Sequence, residues 1–331
     1  EKGEKSIQLV PEQFTSSTEG RIYRELGDAL SGMVESFSFT SLAEKILSTE
    51  GGAAVQTLSD AGRAVLVRRA LEELQDNVHY YHRHRRSAAF CQMAAQTIDE
   101  LKSAGLSGQQ LAQLAGACGA ESGKLSELAR SGMDPSARPE LAGARLEEAL
   151  ARHSLPEFLR DRAVFIDEFD TFNAPKKRLL GAMLAALPSV TVALCDDGAP
   201  LLPGDLSLFS GAKQVAAQLR QLARKNGAEV AAPQLLRKDL RHRNAPGLAA
   251  VAELLETGSC TADAPAGEVR LFAAPSREEE ARAAAGAIRR LMRQGVRCGK
   301  IAVVCRDIAK YRAAVRNEIR MAEIPLYCKE P

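Results

Sequence analysis

Two adjacent acids, Asp167 and Glu168, directly follow a short apolar run, Ala163–Ile166. A buried parallel strand has this pattern when it delivers carboxylates to the carboxyl edge of its sheet, where open α/β sheets bind ligands. Such a pair could serve phosphate chemistry, because one carboxylate can hold Mg²⁺ while its neighbour orients an attacking water. A core strand that ends in a solvated acidic turn has the same pattern, so both interpretations stay open at this point.

Polar and aromatic residues also stand at the ends of the first two predicted strands. They are Gln13, Phe14, Thr15, Ser38 and Phe39. Amide and hydroxyl groups can hold phosphates without a large charge, and an accessible Phe ring can stack on a base. These residues are therefore candidates for contact with single-stranded nucleic acid, although either Phe could instead close the core beneath its loop.

Two short stretches of the chain are strongly basic. In the first, residues 79–86, tyrosines alternate with basic side chains, a pattern suited to stacking on bases and contacting phosphates. The candidates for DNA binding in this stretch are Tyr81, Arg83, Arg85 and Arg86. The second stretch, residues 237–243, contains Arg241. Each stretch has a simpler interpretation, which is an exposed helix start for the first and a solvated run for the second.

Composition limits the kind of protein that the chain can be. A length of 331 residues with 45% hydrophobic content supports two or three domains. The net charge of +2 provides no global basic field, so any nucleic-acid site must be a local patch. The seven cysteines include no CxxC pair, which indicates reduced thiols and a cytoplasmic protein. No apolar run reaches the roughly 18 residues of a membrane span, and we expect no membrane partner.

Strand and helix patterns alternate at both ends of the chain, but the middle contains only helical spacing. Strands are predicted at 6–10, 34–39, 163–166, 190–194, 268–273, 300–305 and 324–327. Thr40 or Ser41 is predicted to cap the helix after the second strand, and Ser276 a helix that ends at Gln294. The alternation predicts an α/β fold with a mostly parallel, doubly wound sheet.

The same patterns divide the chain into three predicted domains. Residues 1–57 and 161–258 form one α/β domain in two segments, and residues 58–160 form an all-helical domain inserted between them. Residues 268–331 begin a second α/β domain. Because the chain starts at Glu1 without a Met and stops just after a predicted strand, we expect it to be a piece of a larger protein.

Several segments resemble, in order and spacing, the motifs of UvrD-like superfamily I helicases. They are the DNA-contacting motifs at 7–15 and 36–43, the Walker B strand at 164–171, the third motif at 194–197, the fourth at 236–241 and the start of the second motor domain at 301–306. Within that superfamily the chain is most similar to the AddB (RexB) family, through LVPEQFT at 9–15, FSFTSLA at 37–43 and FIDEFDTF at 165–172. The resemblance implies a P-loop NTPase-like sheet.

If the roles of that family are carried over, Asp167 would be the Mg²⁺ ligand, Glu168 would orient the attacking water, and Arg241 would contact the γ-phosphate. The chain also departs from the pattern. No GxxxxGK[ST] loop occurs in it, and Gly198 stands where the third motif has a Gln. We therefore expect Asp167 and Glu168 to be remnants of a nucleotide site, without ATP hydrolysis by this chain alone.

In the AddB family the whole protein is one of the two subunits of an ATP-dependent helicase–nuclease, and it pairs with an AddA-type protein. The complex processes DNA ends during double-strand-break repair and recombination. The resemblance thus implies Mg²⁺, ATP and an iron–sulfur cluster in the parent protein, with the cluster outside this chain and no cofactor expected within it. This part would hold single-stranded DNA and act as a scaffold. The alternatives are an active ATP-driven motor whose phosphate loop precedes Glu1, and a purely structural interaction module.

Overall fold

The computed structural model describes residues 5–51, 60–74, 79–84, 86–106, 108–117, 138–236, 242–259 and 268–328. The chain divides into two compact units, the first ending at Leu236 and the second starting at Arg237. Within the described residues, no helix is both long enough and apolar enough to cross a membrane.

A four-stranded parallel sheet organises the first unit. Its strands are β1 (Ser6–Leu9), β2 (Val34–Phe37), β3 (Ala163–Ile166) and β4 (Ser189–Val192), in the spatial order β2-β1-β3-β4. After β1 the chain crosses to β2 on one side, and later returns to add β3 and β4 on the other. The predicted α/β fold with a parallel sheet is therefore confirmed, and the strand order reverses at a switch point between β1 and β3. That the sheet is doubly wound, with helices on both faces, remains a prediction.

Eight helices accompany this sheet among the described residues. They are α1 (Thr15–Ser31), α2 (Phe39–Glu50), α3 (Asp60–Glu73), α4 (Ala88–Ser103), α5 (Gly108–Ala117), α6 (Arg138–Ala151), α7 (Ala174–Ala186) and α8 (Ser210–Lys225). Short 3-10 helices cover Glu12–Phe14 and Glu157–Leu159. The described residues between β2 and β3 contain helices and turns but no strand, as predicted, although the exact domain boundaries remain predictions.

The main core lies on one face of the sheet. Alternate strand residues such as Ile7, Leu9 and Val164 are fully buried there, because every second side chain of a strand points to the same face. Helices α2, α6 and α7 cover this face with Leu42, Leu146 and Leu179. A second, smaller core joins α3 to α4.

The second unit contains α9 (Pro246–Thr257), α10 (Arg277–Arg293) and α11 (Ile308–Met321), with a 3-10 helix at Cys298–Lys300. Helices α10 and α11 share a core that includes Ile288, Ile319 and Ile324.

The strands predicted for this second unit, at 268–273, 300–305 and 324–327, are not observed among its described residues. Several of their apolar side chains face solvent, such as Leu271 (101% exposed) and Tyr327 (90% exposed), while Ile324 packs into the core of α10 and α11. A strand forms only where its backbone groups find a neighbouring strand, and the described part of this unit offers none. The alternation of apolar residues was therefore insufficient to predict strands here.

Candidate nucleic-acid interface

The ends of the parallel strands meet at one carboxyl edge. The backbone N–H of Asp167 donates to the Leu9 carbonyl (3.0 Å), and that of Val10 donates to the Phe37 carbonyl (3.0 Å). The ladder thus continues one residue beyond β3 and β1, and the segments that follow β1, β2 and β3 all leave the sheet together. The edge of a doubly wound sheet at its switch point is where ligands bind in this architecture.

Asp167 and Glu168 lie at this edge, but both side chains already have partners. The Asp167 carboxylate accepts a hydrogen bond from the Glu168 backbone N–H (2.8 Å). The Glu168 carboxylate lies 3.4 Å from the guanidinium of Arg21 on α1. Among the described residues, no group of three or more His, Cys, Asp or Glu side chains is placed to hold a metal ion. The catalytic role of the two acids remains a prediction.

The segment after β1 turns directly into α1. Thr15 donates its hydroxyl to the Glu12 carbonyl (2.7 Å), and Ser17 donates to the Phe14 carbonyl (2.9 Å), so both hydroxyls serve the turn. Gln13 is exposed, and its amide has no hydrogen-bond partner among the described residues. The Thr15 backbone N–H donates to the Glu12 carbonyl, so the 3-10 helix at Glu12–Phe14 runs directly into α1. No side chain caps the start of this 3-10 helix, so its first backbone N–H groups, those of Glu12 and Gln13, have no side-chain acceptor.

The candidates that follow β2 are engaged inside the protein. Ser38 is 4% exposed and caps α2, forming reciprocal hydrogen bonds with Ser41. Phe39 is 2% exposed and packs edge-on against Phe169 (ring centroids 5.2 Å apart) and Phe172 (6.0 Å). Its ring thus closes the core beneath the edge, which is the second of the two possibilities that its sequence position allows.

One functional candidate at this edge was missed from the sequence. Lys176, in the first turn of α7, holds its ammonium 5.6 Å from the Phe39 ring centroid and 5.1 Å from that of Phe169. Burial lowers the pKa of Lys176, and the negative charge of Glu12 partly opposes that effect. A sequence signal existed, because a lysine close behind the helix cap Asn173 is unfavourable next to the positive end of the helix dipole.

The other predicted DNA contacts do not belong to the segments that directly follow the strands. Tyr81 is half-buried against Phe90 (ring centroids 5.0 Å apart), while Arg83 and Arg86 are exposed in the turns before α4. Arg85 and Arg241 lie outside the described residues. The basic stretch at 79–86 therefore belongs to the helical segment between β2 and β3.

A buried lysine forms ion pairs with the segment that follows β4. Lys213, on α8, is 5% exposed and pairs with Asp197 (3.0 Å) and Asp205 (3.4 Å). The pKa of Asp197 is lowered by the backbone N–H of Ala199 and then by Lys213, and the pKa of Lys213 is raised, chiefly by Asp197. The residues that resemble the third helicase motif are thereby fixed to a helix.

This geometry defines a class of protein, an α/β domain with a four-stranded parallel sheet, a helical segment between its second and third strands and a switch point between β1 and β3. More particularly, the chain belongs to the family described as ADDB, N-terminal, which it matches over residues 1–133 and 140–252.

Curated relatives agree with this assignment, and three of them are each named as the B subunit of an ATP-dependent helicase/deoxyribonuclease. The protein from Symbiobacterium thermophilum is 33% identical over 92% of this chain, that from Desulforudis audaxviator 32% over 96%, and that from Moorella thermoacetica 30% over 97%. The chain spans only 28% or 29% of the length of these relatives.

Proposed function

We propose that this chain is the helicase-like part of an AddB-type component of an ATP-dependent helicase–deoxyribonuclease. In this proposal the whole protein processes DNA ends in the cytoplasm with an AddA-type partner, during double-strand-break repair. Membership of the ADDB family and the names of the relatives support the proposal. The sheet would then be of the P-loop, UvrD-like kind, with Arg241 as its former γ-phosphate contact.

The task we assign to this part is to hold single-stranded DNA at the carboxyl edge. The observation that carries the assignment is the start of the 3-10 helix at Glu12–Phe14, which follows β1 at the switch point, has no side-chain cap and contains the exposed, unpartnered amide of Gln13. Helix N-termini offer backbone N–H groups to phosphates, and the helix dipole favours negative charge there. Phe14 and Thr15, both half-buried, complete the turn that shapes this start. Phe39 and Ser38 support the edge from beneath.

We further propose that this chain holds DNA and scaffolds the complex without hydrolysing ATP. The sequence contains no GxxxxGK[ST] loop, and Glu168 is paired with Arg21. Wild-type chain and an Asp167→Asn variant should show the same background phosphate release from ATP. ATP turnover that Asp167→Asn abolishes would instead support the active motor.

A binding experiment tests the DNA-holding role. Fluorescence anisotropy with a labelled single-stranded oligonucleotide is measured between about 50 and 300 mM salt, where phosphate contacts make affinity fall steeply. We expect salt-dependent binding that Gln13→Ala weakens several-fold. The matched control is Gln109→Ala, an exposed glutamine on α5 that follows none of the strands. Negligible binding at every salt concentration, or equal losses in the two variants, would contradict the assignment.

A further inference from the structure

The ammonium of Lys176 is held in a fixed place by the aromatic core. Its Nζ lies above two rings, those of Phe39 and Phe169, which also contact each other and Phe172. Phe39 is 2% exposed and Phe169 is 9% exposed, so neither ring can move without disturbing the main core. The position of this positive charge is therefore set before any ligand arrives.

This charge lacks a carboxylate partner, unlike comparable lysines of the same unit. Lys45 also lies over two rings, those of Phe37 and Phe158, at 4.8 Å from each centroid, but it is neutralised by Glu35 at 2.8 Å. No hydrogen bond or ion pair of the described residues involves the ammonium of Lys176. The aromatic faces attract the cation without cancelling its charge.

The surroundings of Lys176 are unfavourable to a cation in the unliganded chain. Burial lowers its pKa, which means that the charged form has lost solvation. The side chain also stands in the first turn of α7, where the helix dipole repels positive charge. Local arrangements that oppose stability occur mainly where function needs them, and a bound anion would offset both effects.

The location ties this cation to the carboxyl edge. Phe39 begins α2 directly after β2 and Phe169 follows β3, so the ammonium above their rings lies where these segments leave the sheet. Glu12, in the turn after β1, also acts electrostatically on Lys176. A ligand that spans the carboxyl edge would therefore reach the ammonium of Lys176. Glu12 itself repels an anion, which leaves the Lys176 side of the turn as the more favourable approach.

We propose that Lys176 is a phosphate contact, and that its ammonium meets a phosphodiester of the DNA strand held at the carboxyl edge. The inference rests on the proposed function and adds a binding residue that no motif of the sequence indicated. The ligand chemistry is phosphate, which a nucleotide could also supply, and the experiments below separate these two sources.

The first experiment compares Lys176→Met with Lys177→Met. Methionine keeps much of the apolar stem and removes the charge, while the neighbouring Lys177 donates to Gln218 (2.7 Å) and serves as the matched control. For one lost phosphate contact to a single strand, the slope of log affinity against log salt should fall by about 0.7. We expect that reduction and a several-fold loss of affinity in Lys176→Met only, with the slope retained in Lys176→Arg.

The second experiment labels lysine amines of the wild-type chain with an acetylating reagent and measures each site by mass spectrometry. We expect a single-stranded oligonucleotide to protect Lys176 more than inorganic tripolyphosphate does at equal phosphate concentration, with Lys177 unchanged. Stronger protection by tripolyphosphate would assign the contact to a nucleotide and overturn the DNA assignment. Absence of protection by either would overturn the phosphate contact.

The outcomes separate this inference from the proposed function. If the wild-type chain binds DNA and Lys176→Met keeps both its affinity and its salt slope, only the role of Lys176 fails. If the wild-type chain does not bind DNA, the DNA-holding role fails with it. Thermal melting of Lys176→Met and Lys176→Arg shows whether either variant has lost its fold, and the protection experiment needs no variant.

Discussion

Arg21 and Glu168 join helix α1 to the turn after β3, with the guanidinium 3.4 Å from the carboxylate. Glu168 adopts the left-handed backbone conformation (φ 64°), which is unusual for a residue other than glycine. The turn after β3 therefore combines a strained backbone with an ion pair to the helix after β1. Strain of this kind is typical of functional sites, where the surrounding structure holds it in place.

The backbone of Glu168 gives the first prediction. Glu168→Gly and Glu168→Ala both remove the ion pair with Arg21, so the difference between them reports the backbone alone. Glycine accepts a positive φ, whereas alanine meets a penalty of about 1 kcal/mol there. In urea unfolding we expect the glycine variant to be the more stable of the two by about that amount. Arg21→Ala should change stability by less than about 1 kcal/mol, because the pair is exposed.

Phe39 gives the second prediction, which separates packing from base stacking. Because its ring is buried between Phe169 and Phe172, Phe39→Ala should lower the free energy of unfolding by about 3–5 kcal/mol. Phe39→Leu keeps most of the core volume but removes one of the two rings beneath Lys176, so it should lose no more DNA affinity than Lys176→Met. The half-buried Phe14 is the control, and its alanine variant should lose less stability than Phe39→Ala. A larger loss of DNA affinity in a fully folded Phe39→Leu variant than in Lys176→Met would count against a purely supporting role.

Much of the first unit could be predicted from the sequence, because its local signals agree with its tertiary packing. The apolar run at 163–166 is β3 itself, and the strand predicted at 6–10 is observed at Ser6–Leu9. In the second unit Ser276 caps α10 as expected, by accepting from the Glu279 N–H. The cap of α2 was predicted wrongly at Thr40 or Ser41. It is Ser38, because β2 ends at Phe37, two residues earlier than its β-favouring residues indicated.

The features that the sequence could not provide depend on contacts between distant residues. The second unit shows this for strands, since apolar segments such as 300–305 form none where no neighbouring strand pairs with them. In the candidate site, the surroundings of Lys176 also depend on residues that are distant in the sequence. The burial that lowers its pKa involves rings seven and 137 positions away, Phe169 and Phe39, which only the fold brings together. The division of the chain at Leu236 likewise follows from packing.

Two glycines give the third prediction. At Gly143 on α6, an added Cβ would lie 3.1 Å from the Leu179 backbone N and 3.2 Å from its Cα, because α6 packs closely on α7. Backbone atoms cannot move aside cheaply, so Gly143→Ala should destabilise the protein by about 1–3 kcal/mol. Gly20 on α1 has open space around it, and Gly20→Ala should instead stabilise by about 0.5–1 kcal/mol. Urea unfolding of both variants checks the opposite signs.

Lys213 gives the fourth prediction, a dependence of stability on pH. The pKa of Asp197 is lowered by the Ala199 backbone N–H and then by Lys213, and that of Asp205 by Ser207 and to a lesser extent by Lys213. The pKa of Lys213 is raised, chiefly by Asp197. A lowered carboxyl pKa stabilises the fold above the ordinary aspartate value of about 3.9, and this contribution is lost as the pH falls through the folded-state value. A raised lysine pKa stabilises the fold below the ordinary value of about 10.4, and that contribution is lost as the pH rises through the folded-state value.

The stabilisation by this cluster is therefore complete between about pH 5 and pH 9 and declines outside that range. At about pH 7, Lys213→Met should lower the Tm, because it leaves two carboxylates without their cation. Between about pH 7 and pH 3 the Tm of the wild type should fall further than that of Lys213→Met, because the variant already lacks the stabilisation that Lys213 provides. Lys225→Met, at the exposed end of the same helix, is the control and should follow the wild type. Parallel Tm curves for wild type and Lys213→Met would show that these pairs do not stabilise the segment after β4.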